Sequence, residues 1–119
     1  MDVKHTITKL DQEYFTDEKC YIIELLNDPL SRDFSIARAR VEPGVSTEFH
    51  KLKLTSECYY ILSGKGVAEV GTKRFDMEAH NILRIPADAP QRITNTGNED
   101  LIFLCFCVPA FSVENYINC

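Results

Sequence analysis

Pro43-Gly44-Val45-Ser46-Thr47-Glu48-Phe49-His50-Lys51-Leu52-Lys53-Leu54-Thr55-Ser56-Glu57-Cys58-Tyr59-Tyr60-Ile61-Leu62-Ser63-Gly64 is the stretch that decides the fold. Pro43-Gly44 is a turn, because proline presets one backbone angle and glycine tolerates the conformation that follows. Phe49 to Leu54 and Cys58 to Leu62 read as strands, and Ser63-Gly64-Lys65-Gly66 turns the chain again. Alternate residues of a strand share a face. His50, Leu52 and Leu54 therefore fall on one face, and Glu57, Tyr59 and Ile61 on another.

Outward from this stretch the same grammar continues. Cys20 to Leu26 is rich in β-branched and aromatic residues and stops at Asn27-Asp28-Pro29, which favours a strand. Phe34 to Val41 alternates Phe, Ile, Arg and Arg with Ser, Ala, Ala and Val. Val67 to Val70 and Arg74 to Met77 form a hairpin around Gly71-Thr72-Lys73. Ile82 to Ile85 ends at Pro86, Arg92 to Thr94 follows, and Leu101 to Val108 is a nearly continuous apolar strand. Short strands with turn signals between them imply an all-β sandwich or barrel. Gln91, Ile93 and Asn95 make a third set on one face.

The spacing of the first stretch resembles the first motif of the cupin family: a Pro-Gly turn, His-x-His, Glu and a closing Gly. Pro43-Gly44, His50, Glu57 and Gly64 match it, and Leu52 stands where the second histidine belongs. Pro86 to Asn95 resembles the second motif, with Asp88 in place of its Gly and Gln91 in place of its His. Ser35-Ile36-Ala37-Arg38 looks like the strand that precedes the first motif in germin-type members. The resemblance covers roughly residues 34 to 109. It implies an all-β jelly-roll barrel (a double-stranded β-helix) in a single cupin domain over residues 1–119. Residues 1–33 would be an N-terminal arm and strand, 34–109 the barrel core and 110–119 a C-terminal tail. The chain looks like the small cupins called mannose-6-phosphate-isomerase-like, and such a label follows a fold rather than a site.

The resemblance places all three residue sets inside the barrel. It makes His50, Glu57 and Gln91 candidate metal ligands, and a divalent Mn, Fe, Ni or Zn ion the implied cofactor. Leu52 cannot bind an ion. The loss of the His-x-His pair speaks against iron-dioxygen chemistry, which needs two histidines and a carboxylate. A metal-free pocket is the second possibility, with His50 and Glu57 as catalytic acid–base groups. A dry hydrogen-bonded cluster without a ligand is the third. Leu52 and Ile93 among polar residues give the mixture typical of small-molecule pockets. Arg38, Tyr59, Gln91 and Asn95 are the candidate substrate contacts. Arg38, like Arg40 on the same face, holds an anion only if that face points inward.

The expected function is binding of a small polar molecule, sugar-like or a small acid, with proton-transfer chemistry such as isomerisation, epimerisation or dehydration. A non-catalytic binding or sensor module is the alternative. Small cupins commonly pair through an N-terminal strand, and Cys20 to Leu26 is the candidate for a homodimer.

A chain of 119 residues with 45% hydrophobic content makes one domain with a real core. Its net charge of −5 and scattered basic residues argue against nucleic acid and anionic membrane surfaces. No apolar run approaches the ~18 residues of a membrane helix. Met1-Asp2-Val3-Lys4-His5 has no leader pattern. Cys20, Cys58, Cys105, Cys107 and Cys119 are odd in number, which fits reduced thiols and a cytoplasmic setting. Cys105 and Cys107 share a strand face and read as small core residues. His80 reads as a solvated loop residue in a turn where cupins usually carry Gly.

Overall fold

The computed structural model describes residues 3–119; Met1 and Asp2, which open the segment read for a leader, lie outside the described residues. Among the described residues, eleven strands form two antiparallel sheets. The six-stranded sheet has the order β1 (Tyr14–Phe15), β2 (Tyr21–Leu26), β3 (Ser35–Val41), β10 (Leu101–Val108), β5 (Ser56–Ser63), β8 (Ile82–Ile85). The five-stranded sheet has the order β11 (Tyr116–Asn118), β4 (His50–Leu52), β9 (Gln91–Asn95), β6 (Lys65–Val70), β7 (Lys73–Glu78). This is the jelly-roll barrel that the motif resemblance implies. Among the described residues, no helix is long and apolar enough to cross a membrane.

Register turns the alternation of each strand into cross-strand rows. Val41 lies opposite Leu101 at one end of the six-stranded sheet, and Ser35, Cys107 and Glu57 form a row at the other. Ala37, Cys105 and Tyr59 form the row beside it. The inward face therefore changes from apolar to polar along its length. Val41, Ile61, Ile93 and Leu101 are almost wholly buried and make the dry end, while Ile85 is as deeply buried beside Glu57. Ser35, Ala37 and Ala39 are small, so β3 leaves volume unfilled at the polar end.

The closing glycine of the first motif has a plain steric role. Gly64 joins β5 in one sheet to β6 in the other, at φ +86°, and a Cβ there would lie 2.5 Å from the Asp100 carbonyl oxygen. Asn95 donates to the carbonyls of Val41 (2.9 Å) and Glu99 (2.7 Å) and accepts from the Gly97 amide (2.9 Å). It ties the turn before β10 to the end of β3.

Three expectations need correction. Leu54 does not share the inner face with His50 and Leu52. β4 ends at Leu52, and Leu54 takes φ 66° and is exposed. The face of β3 that bears Arg38 and Arg40 points outward, because the Ser, Ala, Ala, Val face is the one that packs inside. The last residues are more than a loose tail, since β11 pairs with β4, Tyr116 opposite Leu52 and Asn118 opposite His50. His80 is an exposed turn residue at φ 73°, as its position implied, and lies 3.3 Å from the Tyr60 hydroxyl.

Candidate functional site

A cavity of about 620 Å³ occupies the polar end of the barrel. The six-stranded sheet contributes Glu57, Tyr59, Cys105, Cys107 and the small residues of β3, and the other sheet contributes His50, Leu52 and Tyr116. Thr16, Asp17, Glu18 and Cys20, from the turn before β2, line it as well. Its size suits a small molecule.

Glu57 is 8% exposed, and its Oε1 has no hydrogen-bond partner. Its Oε2 accepts a long contact from the Cys107 thiol, 3.7 Å. Burial pushes the Glu57 carboxyl up to about 7; the nearby Glu18 carboxylate adds to the shift, and Gln91 and the thiols of Cys107 and Cys105 oppose it. Glu18 is also raised by burial, with His50 pulling it down.

His50 is buried by β4 and β11, its ring stacked on Tyr116 at 4.9 Å and 17°. Its Nδ1 lies 2.9 Å from the Glu48 carbonyl oxygen and 3.6 Å from Glu18 Oε2. A carbonyl only accepts, so Nδ1 bears a hydrogen in this contact.

Gln91 sits opposite His50 across β4 and β9, fully buried, and its Oε1 accepts from the Tyr59 hydroxyl at 3.0 Å. Tyr59 in turn packs on Phe103, ring centroids 4.7 Å apart. Arg38 is absent from the cavity wall. It pairs with Glu13 at 3.2 Å on the outer face, where Glu13 also binds Arg40 at 2.6 Å. Asn95 is spent on the backbone bonds already described. Of the candidate site residues, the structure brings His50, Glu57 and Tyr59 to the cavity, keeps Gln91 behind a hydrogen bond to Tyr59, and leaves Arg38 and Asn95 elsewhere.

The sequence reading missed Glu18, Tyr116 and the wall position of the thiols. The shared face of Cys105 and Cys107 was the signal for the last. Burial pushes the Cys20 thiol up to about 12, and the thiols of Cys105 and Cys107 are also raised by burial, so none is primed as a nucleophile.

The donor set does not fit the metal of the family pattern. Among the described residues, no group of three His, Cys, Asp or Glu side chains is placed to hold an ion. Leu52, 3% exposed, puts hydrocarbon at the second histidine position, and the Gln91 carbonyl oxygen already serves Tyr59.

Residues 37–107 match the Cupin domain family. The chain belongs to the cupin family. It is 34% identical over 104 residues to an uncharacterized protein of Methanocaldococcus jannaschii, covering 86% of this chain and 83% of that one. It is 36% identical over 72 residues to an oxalate-binding protein of Thermotoga maritima, covering 60% of each chain. The crystal structure of a predicted oxalate decarboxylase from Thermotoga maritima superposes with a TM-score of 0.70 at 30% identity, over 76% of this chain and 80% of that one. These likenesses agree with a cupin barrel that binds a small molecule.

Proposed function

We propose that the cavity binds a small polar molecule and moves a proton on it, with Glu57 and His50 as the proton-carrying groups and no resident metal. The observation that carries this reading is Glu57 itself, a buried carboxyl that lines the cavity and whose Oε1 has no hydrogen-bond partner. A buried oxygen without a donor costs about 1–3 kcal/mol, and a ligand hydroxyl or amine would recover it. A carboxyl whose charge is finely balanced can give or take a proton near neutral pH. His50, fixed through Nδ1, offers Nε2 as the complementary acceptor.

The two groups stand on strands of opposite sheets, β5 and β4. Moving a proton from one carbon of a ligand to another, to the opposite face of the same carbon, or off a carbon while a neighbouring hydroxyl is protonated and leaves as water is the chemistry of isomerisation, epimerisation and dehydration, respectively. Tyr59 adds a polar wall, and Leu52 and Phe103 supply apolar contact. The name of the Thermotoga oxalate-binding relative supports a small polar molecule as the class. A second reading, a binding module without chemistry, is favoured by one contact: Tyr59 and Gln91 satisfy each other and leave fewer groups to act on a ligand.

The test is a thermal-shift screen of small hydroxylated compounds with chelator present. A compound that stabilises wild type but not His50→Ala or Glu57→Gln locates the site by mass action. NMR of that compound in deuterated water, with and without protein, then follows solvent deuterium into its C–H positions. Exchange that depends on Glu57 is expected. Binding without exchange selects the module, and stabilisation that appears only when metal is added overturns the proposal.

A further inference from the structure

The charge of the cavity wall narrows the ligand further. Asp17, Glu18, Glu24, Glu48 and Glu57 line it, and no Lys or Arg does. Basic side chains nearby are committed elsewhere. Lys19 pairs with Glu48 at 2.9 Å, and Arg38 and Arg40 face outward onto Glu13. His50 is the one basic side chain on the wall, and its Nδ1 is engaged by the Glu48 carbonyl. Glu18 and Glu57 are left without a full counter-charge, and the more deeply buried of the two has an oxygen with no donor at all.

Aromatic side chains make up part of the remaining wall, beside small, aliphatic and thiol residues. Tyr14, Tyr59, Phe103, Phe111 and Tyr116 line the same space, and Phe49 does too with the Arg92 guanidinium already over its ring at 4.2 Å. Ring faces carry negative quadrupole charge and attract cations, most strongly where water is excluded. A small carboxylic acid would meet acids on several sides without a guanidinium to receive it. A protonated amine would find carboxylate acceptors, ring faces and an orphaned oxygen in need of a donor.

We propose that the molecule this cavity takes is an organic cation, a small polar amine or ammonium compound held by the carboxylates of Glu18 and Glu57 against aromatic walls. This rests on the reading of the cavity as a small-molecule site and sets its charge class. It separates this chain from its oxalate-binding relative, whose named ligand is an anion.

The experiment compares ligands that share a skeleton and differ in charge. Sets such as glucosamine, glucose and glucuronate, or 3-aminopropanol, propanediol and 3-hydroxypropionate, are added at millimolar concentration, and the unfolding midpoint is followed. Cations that stabilise at least tenfold more effectively by concentration than their neutral and anionic partners are the expected result. Glu57→Gln and Glu18→Gln should each remove that preference while the proteins remain folded. Asp76→Asn, on the exposed face of β7, should retain it, which excludes general attraction to an acidic protein. Neutral or anionic members that bind best overturn the charge assignment and leave the small-molecule reading standing. No shift from any member at any charge overturns both. Manganese chloride serves as a separate arm: a midpoint shift by manganese alone that Glu57→Gln abolishes makes the acids an ion site and also overturns the inference.

Discussion

Glu57 is the residue on which the account turns. Its carboxyl is raised from an ordinary 4.5 to about 7 by burial first and by Glu18 second. The folded protein thus holds a proton that the unfolded chain has released. The stability this group contributes is full below about 4.5 and is lost as pH rises through about 7, at up to roughly 1.4 kcal/mol per pH unit. Glu57→Gln keeps the shape and removes the ionisation. The variant should therefore be more stable than wild type at pH 8, and the difference should shrink at pH 5. Urea unfolding at the two pH values measures this. A wild type that gains on the variant as pH rises would mean that Glu57 is held as a stable anion. His50 and Leu52 were legible as an inward pair because strand alternation has a period of two residues and the motif fixes its phase. Leu54 was not, since a single left-handed residue ends that phase. Arg38 followed the right alternation, and the small Ser35, Ala37, Ala39, Val41 set opposite it was the sign that the arginines face out.

At the scale of elements, the crossing from β5 to β6 is the sharpest demand on the sequence. Gly64 makes it at φ +86° with the Asp100 carbonyl where a side chain would go. Gly64→Ala combines left-handed strain with a backbone clash, and should lose more than about 2 kcal/mol. Chemical denaturation checks it, and a loss under about 0.5 kcal/mol would show that the turn can shift. The strands themselves were largely legible, from β2 through β10, because each has its own alternation and its own turn signals. β1 and β11 were not. They are two and three residues long, too short for any period, and exist through pairing with distant strands. Glu18 and Tyr116 reach the cavity by those elements, so the part of its lining from Tyr14 to Glu18 and from Phe111 to Cys119 lay in segments that local pattern describes only as an arm and a tail.

At the scale of the molecule, two surfaces face outward with unmet demands. β1 pairs with β2 only at Tyr21 and Ile22, which leaves the rest of that edge open. Leu62, Ile82, Phe106 and Val108 are exposed apolar residues on neighbouring strands of the six-stranded sheet. An open edge and an apolar face are what a second copy covers, and light scattering at micromolar concentration should return twice the 13.6 kDa chain mass. A monomer mass would assign those residues to ordinary surface. Inside, the central claim is that the cupin scaffold is retained while its metal site has been replaced by a metal-free cavity. The most direct measurement is titration of Mn²⁺, Ni²⁺ and Zn²⁺ into wild type, His50→Ala and the double variant Leu52→His with Gln91→His. Weak binding to wild type that His50→Ala scarcely changes is expected, with at least tenfold tighter binding, about 1.4 kcal/mol, to the double variant with its restored imidazoles. Tight, stoichiometric binding to wild type that His50→Ala abolishes would contradict the central claim.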